Sequence, residues 1–151
     1  MALGQYVRDE LAVILGDDDA IASKASYDDY TAAGFDERKL ELKPGSTPTR
    51  FTLGRLTDDQ RKHFDELLSG PERAEFALRC SLKRIDGYEL RYPDGRVAQV
   101  TVPPCEPDPK FGPMLPAKWF KTLPLAPSHM LALTAIVRFV LSEASLPFPK
   151  D

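Results

Sequence analysis

The sequence has few of the residues from which chemical sites are usually built. Its 151 residues include two cysteines, two histidines and one tryptophan. Cys80 and Cys105 are too few to staple a domain of this length, so a reducing compartment is expected. Cys80 falls in an apolar helical pattern with Ala77 and Leu78, where a buried free thiol is commonplace. His63 and His129 belong to different predicted helices, whereas zinc sites draw several His or Cys at short spacing. Beside Arg61, Lys62 and Asp65, His63 reads as solvent-exposed; His129, near a helix start, reads as structural or interfacial. Positive charge is not in excess: the net charge is −3, which gives no whole-chain case for nucleic acid. Long apolar runs are missing too. Residues 130–141 are interrupted by Thr134 and Arg138 and are too short to span a bilayer. The opening MALGQYVRDELAVILG is broken by Arg8, Asp9 and Glu10, unlike a secretory signal. A soluble, cytoplasmic chain that engages no membrane is expected.

What the chain has in quantity is proline, and it is concentrated. Of 14 prolines, eight lie between Pro103 and Pro127. Each fixes φ and removes a donor, so residues 103–127 are expected to form an extended arm rather than a helix or central strand. Connections of this length usually serve a purpose. Acid is concentrated as well. Residues 1–45 carry ten acids against five bases, a net of −5, while the remainder carries 13 acids and 15 bases, a net of +2. The acidic segment reads as a solvated surface or as a partner for a basic patch.

The motifs that could carry chemistry are each incomplete. Gly16-Asp17-Asp18-Asp19 begins like a calcium loop, but the alternating oxygen ligands, central glycine and closing glutamate do not follow. The glycines form neither a phosphate cradle nor a dinucleotide fingerprint, and no serine sits in a nucleophile elbow. Arg79, Lys83, Arg84, Arg91 and Arg96 make a basic stretch that Glu75, Asp86, Glu89 and Asp94 largely neutralise. The sequence therefore assigns no catalytic, cofactor or metal residue, and the chain is not expected to be an enzyme.

Periodicity predicts the elements. Leu3, Tyr6, Val7, Leu11, Ile14 and Leu15 recur at helical spacing, with Gly16 as a stop. Ser26 is placed to cap a turn through Tyr27 and Tyr30 that Gly34 ends. Leu40 and Leu42, then Phe51 and Leu53, alternate around Pro44-Gly45 and predict a hairpin. Thr57 and Gln60 form a capping box opening a helix with Phe64, Leu67 and Leu68 on its apolar face. Pro71 opens another, carrying Ala74, Phe76, Ala77, Leu78, Cys80 and Ser81. Tyr88, Leu90 and Tyr92 alternate up to Pro93-Asp94-Gly95, and Ala98, Val100 and Val102 beyond it, predicting a second hairpin. Ser128 is placed to cap a last helix holding Met130, Leu133, Ile136, Val137, Val140 and Leu141, and the tail Leu146–Pro149 is extended. The fold class predicted is α+β: two β-hairpins packed with helices, a long proline-rich arm and a C-terminal apolar helix. Residues 1–37 are an N-terminal helical, acidic segment, 38–102 an α+β body, 103–127 the arm, and 128–151 the helix and tail.

The apolar inventory points to contacts. Phe111, Met114, Trp119 and Phe120 lie in the arm, with little regular structure to bury them. Two arrangements stay open: the arm covers its own core, or it drapes over a neighbouring subunit with Trp119 and Phe120 as anchors. With Tyr6 and Leu11 of the N-terminal segment, these four are the candidate partner-binding residues. Replacing Trp119 and Phe120 together is expected to leave the monomer folded and to abolish assembly; global unfolding of that variant would show the pair to be core.

The order of several short motifs resembles a known family. Pro48-Thr-Arg-Phe-Thr-Leu-Gly-Arg-Leu-Thr57 precedes the helix with Gln60, and Arg79-Cys-Ser-Leu-Lys-Arg-Ile-Asp-Gly87 follows. Then come Asp94-Gly95-Arg96-Val97, the Trp119…Leu123-Pro124 segment and a final apolar helix ending Leu141-Ser142-Glu143. Over residues 43–143 this is similar to small tailed-bacteriophage proteins of the tail-assembly-chaperone type and related virion-module proteins. Residues 1–42 lie outside the resemblance, and the arm is richer in proline than that family's usual connection. The resemblance implies a non-enzymatic morphogenesis protein, a virion component or a tail or particle assembly factor, without cofactor. Its partners would be other phage structural or assembly proteins, within an oligomer or larger assembly, in the virion or the host cytoplasm. The alternative is a small regulatory or inhibitory protein that binds a host factor through the acidic 17–37 region.

Overall fold

A computed structural model of the chain describes residues 5–6, 9–141 and 146–147, the first and last pairs through their backbone. The fold is α+β, with five α-helices and several small sheets among the described residues. In chain order these are β1 (Gln5–Tyr6), β2 (Glu10–Val13), α1 (Lys24–Ala32), a 3-10 turn (Glu37–Lys39), β3 (Arg50–Gly54), α2 (Asp58–Glu66), α3 (Gly70–Ser81) and β4 (Leu82–Asp86). There follow β5 (Glu89–Arg91), β6 (Val97–Gln99), β7 (Glu106–Asp108), β8 (Gly112–Met114), α4 (Ala117–Thr122), α5 (Pro127–Phe139) and β9 (Leu146–Pro147). Two compact units are present. A helical unit comprises Met1–Leu11, Leu53–Ser81 and Pro103–Asp151, and a hairpin unit comprises Ala12–Thr52 and Leu82–Val102. This division follows packing and differs from the four successive segments read along the sequence.

In the helical unit, α2 begins with the expected capping box: Thr57 and Gln60 exchange side-chain and backbone bonds at 3.2 and 2.9 Å. Asp58 and Asp59 follow in its first turn, where the helix dipole favours acids. Helix α3 buries Ala74, Phe76, Ala77, Leu78, Cys80 and Ser81, as its periodicity predicts, and packs against α2, α4 and α5. The Ser81 hydroxyl donates to the Gly54 carbonyl. The terminal strands pair antiparallel, Gln5 opposite Pro147 and Tyr6 opposite Leu146.

The arm, expected to be extended and free of helix, instead forms a small hairpin and the short helix α4, and buries Met114, Leu115 and Phe120. Strands β7 and β8 form a small antiparallel hairpin in which Pro107 and Pro113 stand opposite each other. Proline is tolerated in a ladder only where its N–H is not needed, and this register meets that condition for both residues at once. The Asp108 carboxylate closes the turn by accepting from Lys110 N at 2.8 Å and Phe111 N at 2.9 Å. Those two donors hold its carboxyl below the usual carboxylate range. Bonds to helix residues secure the arm. Arg79 Nε donates to Leu115 O and Leu115 N to Arg79 O, both at 2.8 Å. Gln60 Nε2 donates to Phe111 O at 2.8 Å. Pro116 then serves as N-cap of α4, and Pro127 occupies the first turn of α5. Ser128 does not cap α5; the N-cap is Ala126, with no side-chain bond.

In the hairpin unit the second predicted hairpin forms with Glu89 opposite Gln99, Leu90 opposite Ala98 and Arg91 opposite Val97. The first does not form. Leu42 bridges to Ile21, and Ala22 N and Lys43 N donate to Glu41 O and Ala20 O at 2.9 and 2.8 Å. Strand β3 instead occupies the middle of the order β2-β3-β4. Pro44-Gly45 does turn the chain, but residues 46–49 lead away from Leu42. Thr49 N is held by Asp18 Oδ2 at 2.8 Å and Thr49 Oγ1 by Gly87 O at 3.0 Å. Gly87 has φ 78, and a Cβ there would lie 2.5 Å from Pro48 O, so no other residue fits without moving the backbone. The N-terminal helix is also corrected: Glu10–Val13 is a strand. Leu3 and Val7 of that expectation lie outside the described residues. Leu11–Leu15 is a continuous apolar run, which periodicity alone assigns equally well to helix or strand.

Helix α1 is capped by Ser23, whose Oγ accepts from Ser26 N at 3.1 Å. It presents Tyr27 and Tyr30 to the chain at Ile14. Tyr30 Oη accepts from Ile14 N and Tyr27 Oη donates to Ile14 O, each at 2.9 Å. The two hydroxyls thus satisfy both backbone groups of one buried residue where β2 has ended. Gly34, at φ 73, and Phe35, at φ 65, turn the chain after α1.

Candidate interaction surface

Helix α5 has two apolar faces, and only one of them is covered. Leu133, Thr134, Val137 and the following Leu141 are buried. Thr134 hides its hydroxyl by donating to Met130 O at 2.7 Å. On the opposite side Leu131, Ala132, Ala135, Arg138 and Phe139 are exposed. At about 3.6 residues per turn they share roughly a third of the helix circumference along about 12 Å. Leu131 is 56% exposed and Phe139 62%. A helix apolar on every side is normally buried on every side. Here Arg138 is the only charged residue in the helix, so the stripe is an apolar surface with a single cation.

The cation is placed against aromatic rings. The Arg138 guanidinium lies 5.1 Å from the Phe139 ring centroid and 5.9 Å from that of Phe64, which Arg73 approaches at 5.7 Å. Arg73 Nε donates to Leu67 O at 2.8 Å. Neither arginine has a carboxylate partner within salt-bridge distance among the described residues. Leu68, just past the end of α2, is 97% exposed. The helical unit thus carries exposed apolar side chains and two unneutralised guanidiniums.

The hairpin unit carries an acidic groove of about 410 Å³ between the loop after β2 and the start of α1. Asp17, Asp19 and Asp28 line it together with Ile21, Ala22 and Tyr27. Lys24 and Lys43 stand at the same groove. Asp18 is committed to the fold, accepting from Ala20 N at 2.9 Å and Thr49 N at 2.8 Å. Burial, and secondarily the Asp17 carboxylate, push the Tyr27 hydroxyl pKa upward. Among the described residues no group of three His, Cys, Asp or Glu is arranged to hold a metal ion.

The candidates named from sequence divide by location. Met114 and Phe120 are buried, and so is Leu11 in β2. Phe111 is half-buried in a ring cluster, 5.0 Å from Phe76 and 4.7 Å from His63. His63, expected to be exposed, is therefore half-buried as well, 4.6 Å from Phe76. Trp119 is half-buried on α4. The Tyr6 side chain lies outside the described residues. Sequence reasoning missed Leu131 and Phe139, and the available signal was the near absence of charge around α5. No protein-family model, curated protein or solved structure matches this chain.

Proposed function

We propose that this chain is a non-enzymatic bacteriophage morphogenesis protein, a virion component or a tail or particle assembly factor, that acts by protein–protein contact. The uncovered face of α5 carries the contact part of this reading. Apolar side chains at the centre of an interface supply most of its energy, with Phe among the residues enriched there. The phage part is supported by the order of motifs across residues 43–143. On this reading the side chains that engage the neighbour are Leu131 and Phe139, while Met114 and Phe120 of the arm stabilise the unit that displays them.

Purification of tagged protein from its native source, with quantitative mass spectrometry, tests the reading. Stoichiometric recovery with structural phage proteins, persisting in purified particles, is the expected result for a virion component. The same recovery from lysate alone would identify an assembly factor. Recovery of a single host protein, or of nothing, would overturn the reading in favour of a regulatory protein.

A further inference from the structure

We propose that the acidic groove of one copy receives the Arg138–Phe139 end of α5 from a second copy, so that the chain associates head to tail. This rests on the contact reading above and names the partner. Two surfaces of the same sequence are complementary. On the helical unit, Phe139 is an exposed aromatic flanked by Arg138, which has no carboxylate partner among the described residues. On the hairpin unit, the groove combines an apolar wall from Ile21, Ala22 and Tyr27 with Asp17, Asp19 and Asp28, which outnumber Lys24 and Lys43 there. Asp19 and Asp28 are exposed, and their carboxylates make no bond among the described residues. A phenyl ring with an adjacent guanidinium matches an aromatic-lined groove edged by carboxylates: the ring leaves water and the cation gains partners.

The stripe is too small to act alone. A stable interface buries about 800 Å² per partner, and a few side chains on one helix expose less than that. A symmetric pairing of two α5 stripes would give neither Arg138 a carboxylate, because the helix carries no acid. Docking into a concave groove encloses more of the protruding Phe139 ring than a flat pairing does, and it opposes unlike charges. Because donor and acceptor are different patches, the contact is heterologous and generates a ring if the rotation closes or a filament if it does not.

The test is light scattering on the full chain over rising concentration, with Arg138→Glu and with Asp19→Lys combined with Asp28→Lys. All three positions are exposed, and unchanged circular dichroism and melting temperature verify that the variants fold. Wild type is expected to associate, less so in high salt. Each variant is expected to weaken association by about tenfold or more. Mixing the two variants should restore pairing into heterodimers, because the mixture contains one intact donor and one intact acceptor. Wild type that stays monomeric throughout would overturn the inference, as would variants that associate like wild type or a mixture that fails to recover. A monomeric chain that still co-purifies with particle proteins would overturn self-docking alone and leave the contact reading standing.

Discussion

Phe120→Ala is expected to destabilise the protein by about 3–5 kcal/mol, the usual cost of removing a buried phenyl group. Phe120 is 5% exposed on a short helix that packs against α3. Deleting its ring leaves a cavity that the proline-fixed segment has little freedom to fill. Trp119→Ala, one position earlier, should cost well under half as much, because that side chain is only half-buried. Urea unfolding followed by circular dichroism measures both. The contrast separates the two arrangements that the sequence left open. An arm that served only as a loose external anchor would leave Phe120→Ala near wild-type stability.

Tyr30→Phe is expected to cost about 1–3 kcal/mol, although it removes a single oxygen. That oxygen accepts from Ile14 N, and Ile14 is fully buried. Without it the amide is left unpaired in a site where the phenylalanine ring still blocks water. The same hydroxyl makes stability depend on alkaline pH. Burial pushes the Tyr30 pKa up to about 12 from an ordinary value of 10.0. A folded-state pKa above the unfolded one means that the contribution is fully present below about pH 10 and is lost as pH rises through about 12. Wild type should therefore lose stability across that window, and Tyr30→Phe should lose less of it. Tyr27, also raised by burial, adds in the same direction. Equal alkaline losses in the two proteins would refute the assignment.

Much of the local structure was legible because its signals are local. The Thr57–Gln60 capping box, the Pro93-Asp94-Gly95 turn and the buried face of α3 each depend on residues within a few positions. Strand partners distant in sequence were not legible. Leu42 pairs with Ile21 rather than with β3, and Asp18 reaches Thr49, 31 residues away; periodicity reports neither contact. The arm misled for a related reason. Proline density predicts an extended chain, but the register that sets Pro107 against Pro113 and the bonds from Arg79 and Gln60 are long-range. The exposed stripe of α5 was half-legible. Its lack of charge stood in the sequence, whereas the side that α3 leaves uncovered became visible only with the fold.

The most direct test of the central claim, that the open face of α5 is covered by protein, is photo-crosslinking in the native source. A photoreactive residue is placed at Leu131 in one protein and at exposed Lys62 of α2 in another. The account expects a discrete intermolecular adduct from position 131, identifiable by mass spectrometry as a phage protein or a second copy, and little from position 62. Adducts equally abundant from both positions, or none from position 131, would contradict it.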